Sequence, residues 1–324
     1  MNTYSKFLQQ AKQGKNTFGR YLLVFLIAWA VPTLLQYLVR EFVLGYTFFD
    51  DLMGKFFESN FFRNILAVVL LFFLVERLHK RPGLSLINTE KHIRWDRLGF
   101  SFLVSAVLVF VLSVTTIYLL YGKLPIWEWQ SDYEYSQGLV QKLLYFPSAL
   151  IMATLLFNAY LLQGLSVRPR TAMRAILIVW LISYIFSHWS LIWYTLKGTM
   201  VGDLSWTWFI NGSVILELLL LVLIILDEGV EAVLGFFIGK SVYSILVDEG
   251  ALQKMIFPDS SSFNEGFIYF FSFDWGILIC FGIFFFLYSR RFKLRDREVL
   301  FNIPPSPTEE SYDLIDQIKP EEDF

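Results

Sequence analysis

Ionisable side chains stand well inside long apolar stretches of this sequence, among them His188, Glu217 and Lys240. A carboxylate or imidazole held away from water is a candidate general base or proton donor, and any ionisable group at membrane depth is a functional candidate. Glu217 and Lys240 lie almost symmetrically about Gly229, which follows Asp227 and Glu228 and reads as a tight turn between two apolar runs. At about 1.5 Å per residue that symmetry puts both at a similar depth, where they would meet as an ion pair. The alternative is that Lys240 snorkels or faces a water-filled cleft while Glu217 is protonated, and the sequence leaves both open. A histidine alone in an apolar helix is more often a hydrogen-bonded structural residue than a catalyst. Metal chemistry has no support, because His79, His92 and His188 are scattered and no His-Glu-x-x-His, zinc-spaced Cys/His cluster or Gly-rich phosphate loop occurs. No cofactor is expected.

The elements that must position these residues are membrane-spanning helices. Of 324 residues, 56% are apolar and 19% aromatic, and the mean hydropathy of +0.52 is too high for a soluble domain. The charges, 17% of the chain, nearly balance and fall between apolar stretches, and nothing points to nucleic acid. Eight runs are predicted to cross a hydrocarbon core of about 30 Å: 21–44, 61–78, 98–121, 141–164, 171–195, 208–226, 229–248 and 266–289. Pro32 and Pro147 are expected to kink the first and fourth. The apolar sequence continues past Ala28-Trp29-Ala30, so the first run reads as a retained span and not a cleaved signal. Lys and Arg concentrate in the N-terminal twenty residues, in 77–97, in 168–174 and after the last run. By the positive-inside rule both termini are cytoplasmic, and an even number of spans agrees. Cys280, the one cysteine, lies in an apolar run and has no intrachain partner.

The stretch Ala153-Thr154-Leu155-Leu156-Phe157-Asn158-Ala159-Tyr160-Leu161-Leu162-Gln163 resembles the first motif of the CPBP family (CAAX protease and bacteriocin-processing, or Abi) of intramembrane peptidases, which reads Glu-Glu-x-x-x-Arg. The paired glutamates fall on Ala153 and Thr154, and the arginine on Asn158. The second motif, Phe-x-x-x-His, is similar to Tyr184-Ile185-Phe186-Ser187-His188. The approach to the third resembles Asp227-Glu228-Gly229-Val230-Glu231-Ala232-Val233-Leu234-Gly235, and its His-x-x-x-Asn falls on Phe237 and Ser241. The basic segment Arg77-Leu78-His79-Lys80-Arg81-Pro82 and the Arg94-Trp95-Asp96-Arg97 stretch also resemble bacterial members. Their plain reading is a positive loop on anionic headgroups with Trp95 as interfacial anchor, and the alternative is a dedicated ligand site. The resemblance covers residues 70–295.

The resemblance implies an all-helical, eight-span domain over residues 21–300, preceded by a basic N-terminus (1–20), in a bacterial inner membrane. In active relatives the glutamate pair polarises water and the imidazole and amide groups stabilise the oxyanion. Here only His188 of those side chains remains, and losing one general base typically costs about a hundred- to ten-thousand-fold. The expected function is therefore that of a pseudo-peptidase, a scaffold or chaperone for another membrane protein or peptide. Glu217, Lys240, Thr154, Asn158, Ser241 and His188 would then form a buried polar network where the site used to be. The alternative is an active endopeptidase with Glu217 or Glu231 as base and His188 as donor, and transport or lipid handling is a third class. Residues 301–324, Pro-containing and ending in Glu321-Glu322-Asp323-Phe324, read as a disordered cytoplasmic tail. Within it Tyr312–Ile318 is a candidate amphipathic turn for a cytoplasmic partner of 303–324.

Overall fold

A computed structural model describes residues 5–12, 17–39, 60–90, 92–121, 133–166, 171–187, 212–247 and 275–302. Every regular element among these residues is helical. The order is α1 (Lys6–Gln9), α2 (Phe18–Val39), α3 (Asn60–Leu74), α4 (Trp95–Tyr121), α5 (Tyr133–Ala153), α6 (Leu162–Leu165), α7 (Ala172–Ser187), α8 (Gly212–Asp227), α9 (Glu231–Val247) and α10 (Gly276–Arg291). Each predicted apolar run thus contains one long helix. Parts of several runs, 188–195 and 266–274 among them, lie outside the described residues, as do His188 and the tail from 303 onward.

Among the described residues, three helices are long and apolar enough to cross a membrane: Phe18–Val39, Trp95–Thr116 within α4, and Leu143–Leu165 at the end of α5 and beyond. Ala172–Ile185 is apolar but shorter. The described parts of α8 and α10 hold 16 residues each, which at about 1.5 Å per residue fall short of a core of about 30 Å.

The helices run on through Pro32 and Pro147, where kinks are expected. A change of winding comes later, at Thr154–Leu161, which is a π-helix. A second π segment, Val75–His79, ends in Lys80, whose φ of 55° is left-handed. Such wide turns push side chains out of α register and recur at functional sites. The Thr154–Leu161 segment coincides with the motif-like stretch and touches α2, α3, α5 and α7.

Packing runs from neighbour to neighbour as α2, α3, α5, α9, α4, α10, α8, α7, and the π segment closes the circuit between α7 and α2. The tightest pair is α4 with α9. Gly235 and Gly239 allow it, since a Cβ at either would run into the Leu98 and Phe102 carbonyls and the Ser101 and Ser105 side chains of α4. Small residues four apart let two backbones approach, which is how helices associate where no water drives them together. On the other side of α4, Phe100, Tyr288 and Phe292 stack, with ring centroids 4.8 Å apart for the last pair.

Candidate functional site

Residues from distant parts of the chain converge on one cavity. A cavity of about 700 Å³ is lined by Ala153, Thr154, Asn158 and Phe237, and Glu217 joins them from α8. Thr154, Phe157 and Asn158, three and four positions apart, share one side of the Thr154–Leu161 segment and stand together on the cavity wall. The walls are chiefly apolar, and their described polar groups are the Glu217 carboxylate, the Asn158 amide and the Thr154 and Ser183 hydroxyls. Ser183 Oγ is buried without a hydrogen-bond partner. Trp29 of α2 and Ile185 of α7 also line the cavity while being exposed on the outside of the bundle, so the cavity opens sideways between these two helices. Lys240 and Ser241 lie half-buried on α9, one turn past Phe237, and are not among the described walls. Ala153, Thr154, Asn158, Phe237 and Glu217 thus line one cavity, while His188 falls outside the described residues.

A second polar site was divided in the sequence between two separate stretches. Arg94 and Arg97, at the start of α4, meet Asp227 and Glu231, which flank the turn between α8 and α9. Arg94 Nη2 lies 3.1 Å from Asp227 Oδ2 and 2.7 Å from Glu231 Oε2, and its Nε donates to Glu231 Oε1 at 3.1 Å. Arg97 pairs with Asp227 Oδ1, Asn88 Nδ2 donates to Glu231 Oε1, and the Tyr288 hydroxyl donates to Asp227 Oδ1 at 2.9 Å. Two guanidinium and two carboxylate groups therefore cancel in a place from which Arg94 is only 6% exposed.

Burial works against the Arg94 charge, but the hydrogen bond to Glu231 and the charges of Asp227 and Glu231 reverse that and hold it above its ordinary value. Burial pushes the Asp227 carboxyl up to about 6, against the pull of Arg94, Arg97 and Tyr288. It remains ionised at neutral pH, the form that two arginines require.

The turn is built for this cluster. Glu228 takes the left-handed conformation, with φ 55°, next to the glycine that the sequence marks as the turn residue. Gly229 is needed for space, since a Cβ there would strike Arg94, Glu231 and Asn88. An isolated antiparallel bridge joins Gly229 to Asn88, and Val230 N donates to the Ile87 carbonyl at 2.8 Å. Glu228 itself reaches Arg295, 3.1 Å away, and accepts from the Lys6 backbone N–H, also at 3.1 Å.

This geometry corrects the loop reading of residues 77–97. Trp95 is exposed, as an interfacial anchor would be, but Arg94 and Arg81 are buried and are not part of an exposed positive surface. It also fixes Glu231, one of the two carboxylates considered as a base: both of its oxygens are held by Arg94.

Compared with protein-family models, curated proteins and solved structures, the chain matches none. The likeness to CPBP peptidases rests on the residue pattern quoted above.

A third polar group was not anticipated at all. His79 Nε2 and the Tyr160 hydroxyl are 2.8 Å apart, both fully buried. Tyr21 stacks on both, with centroids 4.3 Å from His79 and 4.9 Å from Tyr160, and Arg81 lies over its ring. The N-terminal segment, read from sequence as a basic cytoplasmic stretch, packs here with Phe7 and Ala11 fully buried. Its carbonyls accept from Gln163 Nε2 (Phe7, 3.3 Å), Ser166 Oγ (Leu8, 3.1 Å) and the Tyr21 hydroxyl (Ala11, 3.4 Å). The apolar spacing Phe7, Leu8, Ala11 was the available signal for this face. Among the described residues no group of three or more His, Cys, Asp or Glu is arranged to hold a metal ion.

Proposed function

We propose that this chain is a multi-pass protein of a bacterial inner membrane, with eight spans of the CPBP type and both termini cytoplasmic, which binds a hydrophobic segment of another membrane protein or membrane-attached peptide without cutting it. The observation that carries this reading is the composition of the cavity wall. By the resemblance, Ala153 and Phe237 take the positions of the family's carboxylate and imidazole; both line the cavity, and neither side chain exchanges a proton. What remains is a mostly apolar cavity of about 700 Å³ with a few fixed polar groups, the usual make-up of a binding site. Its sideways mouth between Trp29 and Ile185 suits a ligand that arrives through the bilayer.

A photo-crosslinking residue placed at Trp29 in the full-length protein tests this in cells. The expected result is a discrete adduct with one intact membrane polypeptide, lost when Phe237→Trp fills the cavity. Adducts with lipid alone, unchanged by Phe237→Trp, would overturn it.

The second reading, an active endopeptidase, is favoured by Glu217, which lines the cavity, over Glu231, which Arg94 occupies. It predicts that Glu217→Gln converts a cleaved polypeptide into a trapped one. Under the binding reading the captured polypeptide is intact with either residue.

A further inference from the structure

Among the described residues, Arg81 is a buried charge without an answering one. Its side chain is 3% exposed. Nε, Nη1 and Nη2 are all shielded from solvent, and none has a hydrogen-bond partner. Its Cζ stands 5.7 Å from the centroid of the Tyr21 ring. The ionisable groups close enough to act on it are the phenols of Tyr21 and Tyr160, and no carboxylate is among them. The acids of the same region are engaged elsewhere: Glu76 accepts from the Gly83 backbone N–H at 3.3 Å, Glu228 holds Arg295, and Asp227 and Glu231 hold Arg94 and Arg97.

Burial lowers the Arg81 proton affinity, but a guanidinium does not give up its proton in a protein, so the charge persists. A cation enclosed in this way is strongly unfavourable unless an anion joins it. Stacking on Tyr21 occupies a face of the guanidinium and leaves its in-plane N–H groups to donate. Four residues on, in the short 3-10 turn Gly83–Leu86, the Ser85 hydroxyl is also buried and without a partner. The Ser85 carbonyl is fixed by Gln163 Nε2 at 2.8 Å, the same nitrogen that holds Phe7 of the N-terminal segment.

We infer that Arg81 and the Ser85 hydroxyl bind a phosphate-type oxyanion beneath the N-terminal segment Ser5–Lys12, supplied either by a lipid headgroup or as free phosphate. A guanidinium fork pairs two oxygens of such a group, and the hydroxyl offers a further donor. Exposed Arg77 and Lys80 flank Arg81 in the chain and raise the local concentration of anions from a membrane surface or from solution. The N-terminal segment is short, is held through its backbone to Gln163, Ser166 and Glu228, and meets through Ala11 the hydroxyl of Tyr21, the ring over which Arg81 lies. The inference is independent of whether the lateral cavity binds or cuts a polypeptide.

The experiment uses the full-length protein, delipidated in maltoside detergent and free of phosphate, with thermal unfolding as readout. Inorganic phosphate, phosphatidylglycerol and sodium chloride are titrated separately. Saturable stabilisation by inorganic phosphate assigns the free anion, and stabilisation by the lipid but not by phosphate assigns the headgroup. Arg81→Met abolishes the response. Ser85→Ala, which leaves the fold intact, weakens the apparent affinity about tenfold, the size expected for one hydrogen bond to a charged group. No stabilisation of the wild type by either probe overturns the inference. So does equal stabilisation by chloride, or an unchanged midpoint of the titration in Ser85→Ala should Arg81→Met fail to fold.

Discussion

Arg94 and Arg81 belong to the same connection between α3 and α4, and both are less than a tenth exposed, at 6% and 3%. Around Arg94 the chain has assembled two carboxylates, an amide, a phenol and a second arginine, so each side-chain nitrogen of Arg94 and each carboxylate oxygen is engaged. Around Arg81 it has placed two phenols, a histidine and a hydroxyl, none of them a counter-charge at neutral pH. The first arrangement ties α4 to the α8–α9 turn and has no vacancy for a ligand, whereas the second keeps a charge in reserve. Burial of an arginine therefore says little about its role until the charges facing it are counted.

The largest expected effect comes from breaking the balanced cluster. Glu231→Ala leaves Arg94 enclosed with half its partners and is expected to cost about 3–5 kcal/mol in unfolding measured in detergent. Adding Arg94→Met to it is expected to cost less than the two changes summed, a coupling that a double-mutant cycle reads directly.

The same substitution at the two arginines sharpens the contrast. Arg94→Met strands Asp227 and Glu231 and is expected to cost about 3–5 kcal/mol. Arg81→Met, in delipidated protein without phosphate, removes an unpaired cation and is expected to leave stability unchanged or raise it. Equal losses at both positions would mean that Arg81 is balanced by the protein itself.

Tyr288→Phe removes one hydrogen bond to the Asp227 carboxylate, worth about 1.5 kcal/mol in the same assay. The smallest effect is expected from Glu76→Gln. Its carboxylate is exposed and caps the Gly83 amide, so the change is expected to stay within about 0.5 kcal/mol. A loss as large as that of Glu231→Ala would identify Glu76 as the missing counter-charge of Arg81.

Much of the helical framework could be read from the apolar runs, because a backbone surrounded by apolar side chains has few ways to satisfy itself other than as helix. That Ala153, Thr154, Asn158 and Phe237 share a cavity could be expected only from the spacing of the motif-like stretches, and Glu217 only from its depth in an apolar run, since nothing in local periodicity brings α5, α8 and α9 to one cavity. The charge cluster was visible in both halves but not as a whole. Arg94 and Glu231 are 137 positions apart, and the sequence shows that each is charged without showing which opposite charge it faces. The π segments at Val75–His79 and Thr154–Leu161 left no trace because their helices are apolar on most sides, so a shift in register moves one apolar residue to where another was. His79 stood out only as a scattered histidine and as part of the basic 77–82 segment, and its partner Tyr160 lies inside a motif-like stretch whose other positions carry the resemblance.

The attachment of residues 5–12 also sets an order of events during synthesis. The Phe7 carbonyl waits for Gln163, which is 156 positions later, and the Lys6 amide for Glu228, 222 positions later. At about 5–20 residues per second, the start of the chain stays uncommitted for roughly ten to forty seconds after it is made. Residues 5–12 thus settle only after much of the sequence that follows them has been made, once α6 and the α8–α9 turn have reached their places.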